Sequence, residues 1–410
     1  MATAKISRAE SGNVTRWLVL LLGAAVFLNY VDRGAIAVAA PVMKGELGMS
    51  ATAFGIAVSA FFWVYAPVQL LVGWLCDRFS VYKLMAGGIV LWAASTLLIG
   101  FVGGFSSLLV LRVMLGIGES IAFPGTSKII ALHVPPEQRG MANAAVAAGL
   151  ALGPAIGTLT GGLIVATMGW RAMFIIFGLA TLLWLVPWQR VVSRLPTVNP
   201  GAAMARVPAR KLLGNWSLWA MGIGHSAGNF CFYFLLAWLP LYLVQSRGYS
   251  IGQMTLLASV GYGVQAIAAV TYGVISDRWT RSGRSEATIR RTMMVVSQTL
   301  AAVAIYGIYT SQSVGALLFW LCLGGAATAA LSLNLYAIAQ MFAGPRAVGT
   351  WVGIQNAIGN LSGIFGPIIT GIMIDRAGYG SAFYLTAGVA LFGALWWAFA
   401  VPAIRQIELD

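Results

Sequence analysis

Charge is what this sequence has least of: 9% of its 410 residues are Asp, Glu, Lys or Arg, and only 11 are acidic. Soluble domains carry about 25% charged residues, so a chain this long could not cover a water-facing surface with so few. Histidine is confined to His133 and His225, and the three cysteines, Cys76, Cys231 and Cys322, sit inside or at the edge of apolar runs. Their spacing makes neither a disulfide framework nor a metal site. No glycine-rich phosphate loop with its Lys, no nucleophile elbow and no His/Cys ligand pattern occurs. Enzyme chemistry, a metal and a cofactor are therefore not expected. Nor is a cleaved signal peptide, because the apolar run from Trp17 reaches Asp32-Arg33 with no small-residue cleavage site before it.

What the chain has in quantity is apolar sequence: 59% hydrophobic residues at a mean hydropathy of +0.84. Its 15 Trp and 49 Gly suit membrane interfaces and close helix approach. A helix needs roughly 20 apolar residues to cross a bilayer. Twelve such stretches are predicted, at about 17–40, 54–76, 84–103, 106–133, 141–168, 171–189, 216–245, 253–276, 291–310, 314–342, 348–374 and 381–402. The net charge of +14 comes from Lys and Arg in short segments between these runs, so it reads as a topology signal and not as a nucleic-acid surface. Placing both termini in the cytoplasm puts 18 of the 25 basic residues inside and only Lys44, Arg171, Arg247 and Arg376 outside; Arg33, Arg112 and Lys128 fall within spans.

The longest polar interval, 191–215, carries Arg194, Pro196, Pro200, Arg206, Pro208, Arg210 and Lys211. It is expected to be a cytoplasmic linker between two six-helix halves, 1–190 and 216–410. The halves echo each other. Gly73-Trp-Leu-Cys-Asp77-Arg78 after span 2 recurs as Gly273-Val-Ile-Ser-Asp277-Arg278 after span 8, and Gly153-Pro154 in span 5 recurs as Gly366-Pro367 in span 11.

The stretch Gly73-x3-Asp77-Arg78-x-Ser80-x-Tyr82-Lys83 resembles the cytoplasmic loop motif of the major facilitator superfamily, departing at Ser80 and Tyr82. That resemblance implies a twelve-helix, all-α membrane fold with a substrate site near the bilayer midplane between its halves. It also implies that Gly73, Asp77, Arg78, Asp277 and Arg278 form a latch on the cytoplasmic side. Span 1 reads Leu28-Asn29-Tyr30-Val31-Asp32-Arg33, and span 4 reads Arg112-x3-Gly116-x2-Glu119-x3-Phe123-Pro124-x3-Lys128, followed by Pro136-Glu137-Gln138-Arg139-Gly140. Together with Trp238-Leu239-Pro240, Gly169-Trp170-Arg171 and Gly353-x2-Asn356-x2-Gly359-Asn360-x2-Gly363-x3-Pro367, this closely resembles the anion:cation symporter family. That family includes bacterial sugar-acid transporters, sialin and vesicular glutamate transporters.

The residues themselves point the same way. Asp32, Arg33, Arg112 and Glu119 are four ionisable groups at hydrocarbon depth, each costing roughly 2.5 to 3.5 kcal/mol to insert, so they must face protein or water. Arg112 and Glu119 share a helical face, separated by roughly 10.5 Å of rise, and either approach each other or meet partners on span 1. Asn29, Tyr30 and Arg33 can line one cavity wall. A site with two arginines suits an anion. The family resemblance implies substrate contact at Tyr65 and Asn356, and with it Tyr30, Arg33, Tyr65, Arg112, Asn356 and Asn360 are expected to bind a small organic anion, a carboxylate, with Asp32 and Glu119 carrying protons. For Gln69, His225, Asn229, Asn334, Tyr336 and Gln355, interhelical contact is as good a reading as substrate contact, and His225 is expected to be a packing residue.

Gly149-x3-Gly153-Pro154-x2-Gly157 and Arg112-x3-Gly116 also resemble motifs of proton-coupled drug exporters, which keeps drug/proton antiport as the alternative. The sugar-acid members carry Gln where Leu150 stands here. Leucine cannot hydrogen-bond a sugar hydroxyl, so a less hydroxylated carboxylate, aromatic or short-chain, is expected. The expected whole is a proton-coupled symporter, acting as a monomer in a bacterial inner membrane with both termini cytoplasmic. In a background lacking Cys76, Cys231 and Cys322, a single cysteine at position 44 should react with an impermeant thiol reagent on intact cells and one at 211 should not. The reverse pattern overturns the orientation.

Overall fold

The computed structural model describes residues 8–135, 138–195 and 209–407. Among them every regular element is a helix. The first half contains α1 (Arg8–Glu46), α2 (Ala51–Arg78), α3 (Val81–Ile99), α4 (Phe105–Glu119), α5 (Ala122–His133), α6 (Arg139–Met168), α7 (Trp170–Leu183) and α8 (Leu185–Val192). A short α9 (Ala209–Leu213) precedes α10 (Trp216–Leu241), α11 (Ile251–Arg281), α12 (Glu286–Thr310), α13 (Val314–Gly359) and α14 (Leu361–Leu395). Of the expected linker, 196–208 lies outside the described residues.

Eleven helical segments are long and apolar enough to cross a membrane. The count is one short of twelve because Ala347–Ala400 is taken as a single run of 54 residues, about 80 Å at helical rise and far more than one crossing needs. Gly378, at φ 73° and ψ 178°, turns the chain inside that run, a backbone state that only glycine adopts freely. Gly344 (φ 62°, ψ 176°) does the same inside α13. The two breaks restore spans 10, 11 and 12, and with them the twelve crossings expected from the sequence.

Two spans run at membrane length as expected, but each carries an interruption of its regular α-helical bonding. Span 4 breaks at Ser120 and Ile121, between α4 and α5, and span 6 breaks at Trp184, between α7 and α8. Each break falls just before a proline, Pro124 or Pro187, whose missing N–H deprives the carbonyl four residues earlier of its helical partner. The chain tightens there: Ser120 N and Trp184 N each donate to the carbonyl three residues back, at 3.3 and 3.2 Å. The first break lies directly beside Glu119.

The internal repeat extends to the helix starts. Ser50 caps α2 by accepting from Ala53 N, and Ser250 caps α11 by accepting from Gln253 N. Close packing inside the first half relies on small residues. A Cβ at Gly153 of α6 would lie 2.6 Å from Tyr30 Cβ of α1, and one at Gly157 would lie 2.9 Å from Val31 Cα. These glycines therefore serve the α1–α6 contact.

The halves meet mainly along α2–α14 and α6–α11. At the end of α2 remote from the termini, Asp375 accepts from Ala51 N (3.0 Å), Thr52 N (2.7 Å) and Thr52 Oγ1 (2.7 Å). One turn further in, Gly55 lies against the Pro367 carbonyl. Ser59 Oγ then donates to the Ile364 carbonyl at 2.6 Å. On the second contact Gly162 of α6 meets Thr255 of α11. The seal thus sits on the face opposite the chain termini. A valine at Gly55 would drive a side chain into the Pro367 carbonyl, and overpacking of this kind should disfavour the sealed state by about tenfold or more. The check is the cross-linking yield between cysteines placed at Thr52 and Asp375, which should fall in Gly55→Val and, less far, in Gly55→Ala, whose Cβ alone would meet the Pro367 carbonyl.

Candidate functional site

Between the halves, at the inner edge of the seal, lies a cavity of about 100 Å³. Arg33 forms part of its wall, yet the side chain is only 5% exposed. Its guanidinium is gripped on one side by Glu119, with Nη2 donating to Oε2 at 2.8 Å and Nε at 3.3 Å, and Nη2 also reaches Asn29 Oδ1 at 3.3 Å. Three aromatic rings surround the charge: Tyr30, Phe61 and Tyr65, with centroids 4.9, 4.8 and 4.7 Å from the guanidinium carbon. Nη1 takes part in none of these hydrogen bonds. A buried cation boxed by rings and one carboxylate, with Nη1 unpaired among the described residues, can offer that nitrogen to a second carboxylate at the cavity.

Glu119 is fully buried, and its Oε1 has no hydrogen-bond partner among the described residues. Its pairing with Arg33 joins α4 to α1 across the first half. The sequence left two arrangements open for Arg112 and Glu119, and this is the second: Glu119 meets a partner on span 1. Arg112 turns elsewhere. Its Nε and Nη2 donate to the Ala57 and Val58 carbonyls of α2 at 3.1 and 3.3 Å, and it is not part of the cavity wall. It anchors α2 to α4, a role that the expected substrate contact did not anticipate.

Asp32 and Arg33, adjacent in sequence, face different surroundings because neighbours on a helix point about 100° apart. Asp32 Oδ2 accepts from Trp92 Nε1 of α3 (2.8 Å) and Thr181 Oγ1 of α7 (3.2 Å). Its other oxygen, Oδ1, has no partner among the described residues. The carboxylate is therefore buried inside the first half, away from the cavity.

The second half supplies the facing wall. Asn360, at the junction of α13 and α14, accepts from Tyr233 Oη of α10 at 2.8 Å and donates to the Asn356 carbonyl at 2.8 Å. Asn356 Nδ2 donates to Gln69 Oε1 at 3.0 Å, a bond between halves. Of the six expected substrate residues, Tyr30, Arg33, Tyr65, Asn356 and Asn360 line one cavity; Arg112 does not. His225, Asn229 and Tyr336 line it as well, whereas Asn334 is tied to Arg290 Nη1 (3.2 Å) and the Ala330 carbonyl (2.8 Å). Gln355 is buried with neither amide atom paired among the described residues.

Residues whose place at the cavity was missed in the sequence include Tyr233, Gln265, Thr328, Phe123, Phe232, Leu331 and Leu335, all on its wall. Tyr233 is flanked by Phe232 and Phe234 in an apolar run, which hides it. Gln265 and Thr328 were visible as polar residues inside spans. Leu150, singled out as a departure, does line the cavity. The latch roles of Gly73 and Asp77 concern surroundings outside the described residues. Arg78 lies over Trp74, 4.7 Å from the ring centroid. Arg78, Asp277 and Arg278 are exposed, and none is bonded to the opposite half among the described residues.

Comparison with known proteins puts this geometry in context. The family model of the Major Facilitator Superfamily matches residues 22–286 and 283–407. The probable galactarate/D-glucarate transporter GudP of Escherichia coli (strain K12) is 29% identical, with 100% of this chain and 98% of that protein covered. The hexuronate transporter of Bacillus subtilis (strain 168) is 27% identical over 92% of each chain. The probable sulfoacetate transporter SauU of Cupriavidus necator is 29% identical over 97% of this chain and 96% of that protein. A crystal structure of a bacterial homologue of the human lysosomal transporter Spinster, inward-facing and occupied, shares the fold at a TM-score of 0.81 and 19% identity, covering 95% of this chain and 97% of that one. With matches that together run through nearly the whole sequence and a fold of twelve crossings in two halves, the chain belongs to the Major Facilitator Superfamily and is a membrane transporter, not an enzyme.

Proposed function

We propose that the protein is a proton-coupled symporter that moves a small organic anion, a carboxylate, by alternating access. The observation that carries this reading is Arg33: a buried guanidinium on the cavity wall, held from behind by Glu119 at 2.8 Å. The named relatives are a probable galactarate/D-glucarate transporter, a hexuronate transporter and a probable sulfoacetate transporter, which supports an anionic substrate here. The cavity's size, about 100 Å³, is small against the 300 to 1,000 Å³ typical of drug-sized ligands. Leu150, Phe123, Phe232, Leu331 and Leu335 make much of its wall apolar. Both features favour a short-chain, sparsely hydroxylated carboxylate over an aromatic one.

Coupling follows from charge compensation. While Arg33 holds Glu119, the buried pair is neutral. A substrate carboxylate that draws the guanidinium toward the cavity leaves Glu119 buried without a cation, a costly state that proton uptake removes. Substrate and proton are then loaded together. Asp32, whose Oδ1 is unpartnered, is a second proton carrier. Arg33, supported by Tyr30 and Tyr65, binds the carboxylate, and Asn356 and Asn360 contact the rest of the substrate.

Drug/proton antiport is the weaker reading. The glycines of α6 that suggested it pack against α1, and Arg112 is occupied by backbone carbonyls. We place the protein in the bacterial inner membrane as a monomer with both termini cytoplasmic and the interval 191–215 as the linker. On that orientation the seal is periplasmic, the conformation is inward-facing, and the disengaged Arg78, Asp277 and Arg278 are latch residues awaiting closure with Gly73 and Asp77.

Two variants test the reading once a thermal-shift screen of short carboxylates has found a stabilising ligand. Arg33→Lys keeps the charge and loses the planar fork, so affinity should fall more than tenfold, about 1.4 kcal/mol or more. Normal binding in this variant would make Arg33 structural. Glu119→Gln should abolish accumulation driven by a pH gradient in proteoliposomes while counterflow exchange of the same labelled anion persists at least in part. Gradient-driven uptake at the wild-type level would move the coupling site away from Glu119.

A further inference from the structure

A second void, of about 600 Å³, lies in the second half, lined by α11, α12 and α13 and sharing no residue with the central cavity. Helices α11 and α12 both pack along α13 and touch each other much less, which leaves a groove between them. Its floor is Ala327 and Ala330, whose small side chains make it deep; its sides include Tyr272, Met293 and Val296. Val296 is exposed, so the groove opens onto the flank that faces lipid.

At the end of the groove nearest the α11–α12 turn the chemistry changes. Trp279 and Arg284 form the mouth, with the guanidinium carbon 5.5 Å from the indole centroid. Arg284 is exposed and has no acidic partner among the described residues. Arg278 and Arg281 are also exposed at this end, against a single exposed acid, Asp277; Glu286 is engaged by Arg290 at 2.7 Å. An apolar trough that ends in a tryptophan and an excess of arginine matches a phospholipid, with chain, interfacial and anionic parts in that order.

We propose that this groove is a binding site for one anionic phospholipid of the leaflet on the side of the chain termini, its acyl chain on Ala327 and Ala330 and its phosphate on Arg284. The site adjoins the transport pathway through a single helix. On α13, Ala327 and Ala330 face the groove, and Thr328 and Leu331 face the central cavity. Occupancy of the groove therefore bears directly on the segment that forms one cavity wall.

The test is native mass spectrometry of the detergent-purified protein titrated with phosphatidylglycerol or phosphatidylcholine. The wild type should take up one phosphatidylglycerol with about fivefold preference over phosphatidylcholine. Arg284→Gln should erase the preference, whereas Arg190→Gln, which removes an exposed arginine from the other half, should keep it. Val296→Trp fills the groove and should weaken the first adduct of both lipids. Thermal unfolding checks that each variant is folded, and Thr292→Trp replaces Val296→Trp if the latter is not. A preference that survives Arg284→Gln, a first adduct untouched by the filling variant, or soluble glycerol phosphate binding as well as the lipid would each overturn the proposal.

Discussion

Everything in this protein is arranged around the cost of charge where there is no water. The bilayer interior offers no solvent to a guanidinium or a carboxylate, so each must find compensation in the protein. Arg33 and Glu119 satisfy that demand with one short contact between α1 and α4. Arg112 meets it with two backbone carbonyls, and Asp32 meets it in part with an indole and a hydroxyl. Only the first arrangement touches the cavity. A compensated charge at a cavity wall is able to change partners, whereas one buried among carbonyls is fixed. The same physical rule thus sets one arginine at the cavity with a carboxylate partner and the other among backbone carbonyls.

Much of this was legible in the sequence. Hydrophobic runs of crossing length, the imbalance of Lys and Arg and the repeat of Gly73 to Arg78 at Gly273 to Arg278 were enough to expect twelve helices in two halves, and the fold agrees. The interruptions at Ser120 and Trp184 were legible too, through Pro124 and Pro187, but hydropathy averages over such breaks. Periodicity put Tyr30 and Arg33 on the cavity wall, but Asn29 lies buried behind them, accepting from Arg33 Nη2. Periodicity could not place Arg112, since a shared helical face says which way a side chain leaves the axis and not which neighbour waits there. Tyr233 was hidden by its apolar flanks, because its hydroxyl acquires meaning only when Asn360 arrives from a segment far along the chain.

The polar side chains of the second half show how a cavity wall differs from a core. Asn356 and Asn360 are tied to Gln69, Tyr233 and a carbonyl, while His225 Nδ1 and both amide atoms of Gln355 have no partner among the described residues. A protein built only for stability pairs such groups or replaces them. Here fully engaged and unengaged groups stand within a few residues of each other on α10 and α13. The first half supplies charge and the second supplies neutral hydrogen-bonding capacity, a division that the sequence suggested only by where Asp, Glu and Arg were absent.

The seal on the face opposite the termini has a thermodynamic consequence. Its outermost bonds are two amides at the start of α2 and one hydroxyl, all given to the exposed carboxylate of Asp375. The first amides of any helix lack intrahelical partners and are readily served by water. When the halves part at this end, solvent replaces Asp375 donor for donor, so separation exchanges hydrogen bonds and destroys few. The deeper contacts set Gly55 against the Pro367 carbonyl and Ser59 Oγ on the Ile364 carbonyl. A contact assembled this way has its exchangeable bonds at the rim, so parting the halves at this end costs little hydrogen bonding.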